Sequence, residues 1–157
     1  MSTVDSEKTL RHAAEDERSL ARFVEQKVNA MPIVKHLGLR LCVGQADEAL
    51  VRIDAVEDFH LGGQERPVLN GTVLMGLLDC AMASAAIMRL RGGRCATIEF
   101  SAKLMKPAFA GGIYATGKVL SAKGGLLFCE GRVYDRRDQL VVIATSVFKR
   151  LDTVQDP

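Results

Sequence analysis

Asn70-Gly71-Thr72-Val73-Leu74-Met75-Gly76-Leu77-Leu78-Asp79-Cys80-Ala81-Met82-Ala83-Ser84-Ala85-Ala86-Ile87-Met88-Arg89 is the stretch that decides the fold. Before Arg89, its only charged side chain is Asp79. The pattern predicts a helix over 72–90. Asn70 suits an N-cap, Gly71 and Thr72 occupy the first turn, and Gly92-Gly93 ends the helix. A helix that is apolar on every side must be surrounded by other structure. The run 73–88 is roughly 16 residues with a carboxylate mid-way, short and costly for a bilayer span. A soluble, cytoplasmic protein is expected instead.

The flanking sequence supplies the surroundings. Residues 5–30 read as a helix with an apolar stripe of Leu20, Phe23, Val24, Lys27 and Val28. Pro32 opens a short helix that Gly38 breaks. Strands are expected over 39–46 and 49–57, with a turn at 44–48. In the second, Val51, Ile53 and Ala55 alternate with Arg52, Asp54 and Val56. A loop over 58–71 leads into the central helix. Strand-like segments follow at 94–106, 112–122, 126–136 and 139–150, joined at Lys123-Gly124-Gly125 and Arg136-Arg137-Asp138. One curved antiparallel sheet wrapped around one helix meets these demands. The fold class is α+β, with an N-terminal helical extension over 1–30 and the main domain over 31–152.

Composition narrows the function classes. The 157 residues suit one core, and 48% apolar content excludes a disordered chain. A net charge of +2, no Trp and two Tyr give nucleic-acid binding little support. Cys42, Cys80, Cys95 and Cys129 form no C-x-x-C pair and lie at no metal-ligand spacing from a histidine. The N-terminus lacks the apolar core of a signal peptide. Serine-nucleophile elbows and Walker-type loops are absent.

Asp79 is then the residue to explain. An unpaired buried carboxylate costs several kcal/mol or takes a raised pKa, so a sequence that keeps one is usually using it. The alternative is a structural carboxylate in a subunit interface or a wet seam. The helix start adds free N–H groups at a positive dipole end, able to hold an oxyanion. Gly71 and Asp79 are eight residues apart, roughly 12 Å along one helix. Both cannot reach one carbonyl from the same helix. If both act together, one must come from a second subunit, and a homo-oligomer is expected.

The segment Asn70 to Asp79 resembles the H-G-G-x-x-x-x-L-x-D signature of hotdog-fold acyl-CoA thioesterases of the PaaI type. The resemblance extends through Ala96-Thr97-Ile98-Glu99-Phe100 and Lys106-Pro107-Ala108 to the final strands, covering roughly 30–150. It implies a hotdog fold and hydrolysis of an acyl-CoA or aryl-CoA thioester. It further implies Asp79 as general base or nucleophile and Gly71 N–H as donor to the thioester carbonyl. Gln64 and Thr97 are implied to position substrate or water. No metal or redox cofactor is implied, coenzyme A being part of the substrate. The implied sites lie at a homodimer interface, in a dimer or tetramer. Asn70 replaces the family's histidine and Thr72 its second glycine, so both are candidates for substrate contact, Asn70 also for a simple cap. Lys103, Lys106 and Lys123 are candidates for the coenzyme A phosphates, against ordinary solvated lysines.

Two further alternatives follow. The altered histidine position allows a non-catalytic acyl-CoA-binding protein. The charged N-terminal helix is either a partner-docking element or a helix packed on its own domain. His60 reads as a catalytic base or, more simply, as a loop-packing histidine.

Overall fold

The computed structural model describes residues 3–44, 48–62 and 66–151, with the side chains of the first helix described from Ala14 onward. Three α-helices, α1 (Thr3–Asn29), α2 (Pro32–His36) and α3 (Gly71–Arg89), accompany six strands. The strands are β1 (Leu39–Val43), β2 (Glu48–Ile53), β3 (Arg94–Leu104), β4 (Tyr114–Lys123), β5 (Leu126–Tyr134) and β6 (Leu140–Leu151). They form one antiparallel sheet in the order β1-β2-β4-β5-β6-β3. The expected helices and strands all occur, with β1 and β2 ending earlier than expected.

The sheet curls around α3. Ten residues of α3 are buried, among them Leu74, Leu77, Leu78, Ala81 and Met82, against side chains such as Val51, Leu127, Val133 and Phe148. By length and composition α3 would pass for a membrane span. Here it is the core of the domain.

What lets the helix sit so close is a row of small residues across the sheet. Ala49 pairs with Gly117, Gly117 with Gly131, Gly131 with Ala144, and Ala144 with Ala102. A Cβ on Gly117 would lie 2.4 Å from the backbone carbon of Ala81, and one on Gly131 would lie 2.9 Å from Leu78 Cδ2. Nothing in the pattern of the separate strands announces this row, because its members meet only through cross-strand register.

The two sheet edges are treated differently. At β1, Asn29 on α1 donates to Leu41 O (3.1 Å) and accepts from Leu41 N–H (2.8 Å), and Glu25 accepts from Val43 N–H (2.7 Å). These bonds occupy backbone groups that would otherwise template another strand. Leu20, Val24 and Val28 pack α1 onto the body as expected. Phe23 and Lys27 depart from the expected stripe. Both are exposed, with Phe23 lying over Gly92 and the Lys27 ammonium 5.7 Å from the Phe23 ring centre. The opposite edge is β3, whose only strand partner is β6 among the described residues. Ile98 stands 56% exposed at a bulge there.

Candidate active site

Asp79 is only half-buried, which corrects the expectation of a helix enclosed on every side. Thr72, Met75, Gly76, Asp79, Cys80, Ala83 and Ile87 are all incompletely buried. Their three- and four-residue spacing makes them one open stripe along α3. The sheet covers the rest of the helix and leaves this stripe uncovered. Asp79 has its own partner on it: Thr97 Oγ1 donates to Asp79 Oδ1 at 2.9 Å. Thr97 pairs in register with the buried Phe148, so its side chain lies on the inner face of β3, toward α3.

Burial raises the Asp79 pKa, and the Thr97 hydrogen bond offsets part of that rise by favouring the charged form. The same site holds two thiols. Burial and then the Asp79 charge push Cys80 and Cys95 up to about 11. Both are protonated at neutral pH and are poor nucleophiles. The carboxylate is the basic group that this stripe presents to water.

The helix start is built by its cap. Asn70 has extended backbone (φ −62, ψ 140), and its Oδ1 accepts from Thr72 N–H at 2.8 Å. Asn70 N–H donates to His60 O at 2.8 Å, and a Cβ on Gly62 would lie 2.8 Å from Asn70 Nδ2. Asn70 is thus a cap locked under the preceding loop. Gly71, the first helical residue, has Leu104 as its nearest neighbour across the site, 3.6 Å from where its Cβ would be. Asn70→Ala removes the cap acceptor and is expected to cost about 1 kcal/mol of stability, whereas Asn70→Asp keeps it. Chemical unfolding of both variants checks this.

Gly71 stands by Leu104, and Asp79 by Thr97. In one protomer the two groups therefore address different stations along β3, as the helix spacing required. Gln64 lies outside the described residues. Thr72 is exposed at the first turn. Lys103 and Lys106 are exposed near one end of β3. Lys123 is also exposed, but it pairs with Leu126, which neighbours Lys149 and then Ala96. That row is seven residues back along β3 from Lys103, about 23 Å. A single protomer does not gather the three lysines into one phosphate site.

His60 is the loop-packing residue. It is 1% exposed, its Nδ1 accepts from Glu57 N–H at 2.8 Å, and its Nε2 lies 3.0 Å from Leu37 O. Those partners require the proton on Nε2 and leave neither nitrogen for chemistry. Sequence reasoning missed Leu104 as the neighbour of Gly71. Only an exposed leucine at a strand end could have signalled it.

A sheet curled around one helix, with a carboxylate and a capped helix start on the helix's open side, defines a hotdog-type domain. Residues 67–142 match the family model described as the thioesterase superfamily. Solved structures share the fold. The PaaI protein of the E. coli phenylacetic acid degradation operon superposes with a TM-score of 0.75 at 19% identity, covering 88% of this chain and 95% of that one. A point mutant of the phenylacetic acid degradation protein PaaI from Thermus thermophilus gives 0.67 at 24% identity, covering 77% and 100%. Zebra fish thioesterase superfamily member 2 gives 0.69 at 18% identity, covering 84% and 98%. No curated protein matches the sequence.

Proposed function

We propose that the protein hydrolyses an acyl-CoA or aryl-CoA thioester to the free acid and coenzyme A, at sites shared between two copies of the chain. The observation that carries this reading is the Asp79–Thr97 pair on the open stripe of α3, beside an unpaired sheet edge. Asp79 activates water, or attacks the thioester carbon directly, and Thr97 holds its carboxylate in place. Gly71 N–H, at the positive end of α3, stabilises the oxyanion. Gln64 acts on substrate position, Asn70 caps the helix start that presents the Gly71 N–H, and Thr72 lines the entrance.

A two-fold dimer through β3 brings the two stations together. If two β3 strands pair antiparallel with Ser101 opposite its own copy, and the bulge at Ile98 takes up one residue, then Thr97 of one copy lies opposite Leu104 of the other. Leu104 is the residue beside Gly71, and Thr97 is the partner of Asp79. This pairing also covers exposed Ile98 and continues the sheet, while α1 closes the far edge.

Mixed dimers test the shared site. Gly71→Pro deletes the N–H donor at a first-turn position where proline is tolerated, and the extended Asn70 before it is compatible. Asp79→Asn deletes the base. Each variant alone is expected to be inactive in thiol release from a panel of acyl-CoAs. Co-expressed as a hybrid, they restore one complete site per dimer if the two groups come from different copies. No recovery in a purified hybrid dimer overturns the shared-site reading. Tight acyl-CoA binding without turnover in the wild type would instead favour a binding protein, a reading that the non-titrating Asn70 motivates.

A further inference from the structure

We propose that Ser146 on β6 is a positioning residue, whose hydrogen bond to the bulge in β3 selects Thr97, rather than Ile98, as the side chain that faces Asp79. Its consequence for catalysis rests on the thioester reading above.

The bulge decides which residues of β3 point inward. From Leu104 back to Phe100 the ladder is regular. Leu104, Ala102 and Phe100 pair with Val142, Ala144 and Ser146, all buried, so they lie on the inner face. Strict alternation would carry the inward series on to Ile98 and Ala96 and would turn Thr97 to the outer face. The register instead shifts between Thr97 and Glu99, leaving Ile98 as the extra residue. Beyond the shift Thr97 pairs with buried Phe148, and its hydroxyl reaches Asp79. Leu104 beside Gly71 and Thr97 beside Asp79 stand an odd interval apart on one strand. The bulge is what lets both face α3.

This arrangement works against burial. It leaves Ile98 56% exposed and brings a hydroxyl to the helix in its place. A regular ladder would turn the isoleucine inward, which the hydrophobic effect favours. Within one protomer β6 is the only strand beside β3 among the described residues, so the bulge is held from that side. Ser146 supplies the hold. It is 1% exposed, and its Oγ donates to Glu99 O at 2.6 Å. Its register partner is Phe100, so the bond reaches past that partner to the residue flanking the bulge. The other buried polar side chains have different tasks. His60 fastens its loop at Leu37 O, and Ser84 donates to Cys80 O one turn back on its own helix. Without the Ser146 hydroxyl the bulged register loses a buried hydrogen bond, and the slipped register with Ile98 inward gains.

Titration of Asp79 reads the contact without requiring turnover. Burial raises its pKa and the Thr97 bond lowers it, so losing that bond raises it further. Cys80 and Cys95, which share the site, stay protonated across the range and add no charge. In carboxyl-labelled protein followed by NMR, Ser146→Ala is expected to shift Asp79 upward as far as Thr97→Val does. The double variant should shift no further than Thr97→Val alone. Alanine keeps the Cβ and removes only the hydroxyl, and a cooperative melting transition confirms that the variant folds. Deletion of Ile98 separates the bulge from general packing. With no extra residue, alternation keeps Thr97 inward, so Ser146→Ala added to that chain should leave the Asp79 titration where the deletion alone puts it. A wild-type titration in Ser146→Ala overturns the proposal. So does a shift in the double variant beyond that of Thr97→Val, or a further shift in the deleted chain, because Ser146 would then act by another route.

In thiol release, Ser146→Ala is expected to lower kcat about tenfold with KM changed by less than about twofold. The acidic limb of its pH–rate profile should move upward with Asp79. A wild type that releases no thiol, with the titrations as expected, removes the hydrolase reading and supports the role of Ser146.

Discussion

Asp79→Asn is expected to lower the turnover of acyl-CoA thioesters by at least about 10²-fold, the lower bound for removing a positioned general base. That factor corresponds to about 2.7 kcal/mol of transition-state stabilisation. Asn keeps the shape of the side chain and can still accept from Thr97 Oγ1, so the loss reports on charge and basicity rather than on packing. Thiol release under saturating substrate reads kcat directly, and unaffected turnover would end the role assigned to Asp79.

The same substitution makes a stability prediction of known sign. An unfolded aspartate loses its proton near 3.8, and the folded Asp79 does so at higher pH because burial penalises the charged form. Between those two values the folded chain binds more protons than the unfolded one, so stability falls as pH rises through that window. Above it the penalty is complete. Asp79→Asn has no charge to desolvate. At neutral pH it is expected to be at least as stable as the wild type, while the two converge below the unfolded value. The pH–rate profile of the wild type should show its acidic limb displaced above 3.8 in the same direction. A variant that is both inactive and equally or more stable separates a functional carboxylate from a structural one.

Gly117→Val is expected to be the most damaging single change to the fold, costing about 3 kcal/mol or more. Valine is the better strand former, so intrinsic propensity alone predicts a gain. Contact geometry predicts the opposite. The added Cβ would lie 2.4 Å from Ala81 C, 2.5 Å from Ala81 O and 2.5 Å from Met82 N. These are backbone atoms of a helix and cannot swing aside as a side-chain tip can. Relief requires α3 to lift away from β4 and β5, which would also carry Asp79 off Thr97. Ser121→Val, at an exposed position on β4, serves as the control and is expected to change stability by less than about 0.5 kcal/mol. Urea midpoints of the two variants decide between propensity and contact.

Much of the architecture was legible from local pattern. The α3 boundaries follow from Asn70 as acceptor for Thr72 N–H and from Gly92, which takes φ +85 beyond the last turn. The strands follow from alternation and from the Gly124-Gly125 turn, where both residues have positive φ. Each of these is a property of a few neighbouring residues, and such properties survive in any sequence read one window at a time. Asp79 was also legible, because a carboxylate among Leu77, Leu78, Cys80 and Ala81 is an energetic exception wherever the helix goes.

The tertiary structure alone decided the rest. Thr97 meets Asp79, and Leu104 meets Gly71, because β3 crosses to the far edge of the sheet beside β6. The open stripe of α3 exists because six strands cover only part of the helix circumference. A uniformly apolar sequence carries no mark of which side stays uncovered. Arg136 and Arg137 read locally as ordinary turn residues, and they face Lys106 and Phe109 only after distant segments pack. The small-residue row from Ala49 to Ala102 belongs to five strands at once. Local sequence determined a wrapped helix with one anomalous carboxylate. Long-range register, which depends on residues far apart in the chain, decided what that carboxylate faces and which sheet edge was left without a strand partner among the described residues.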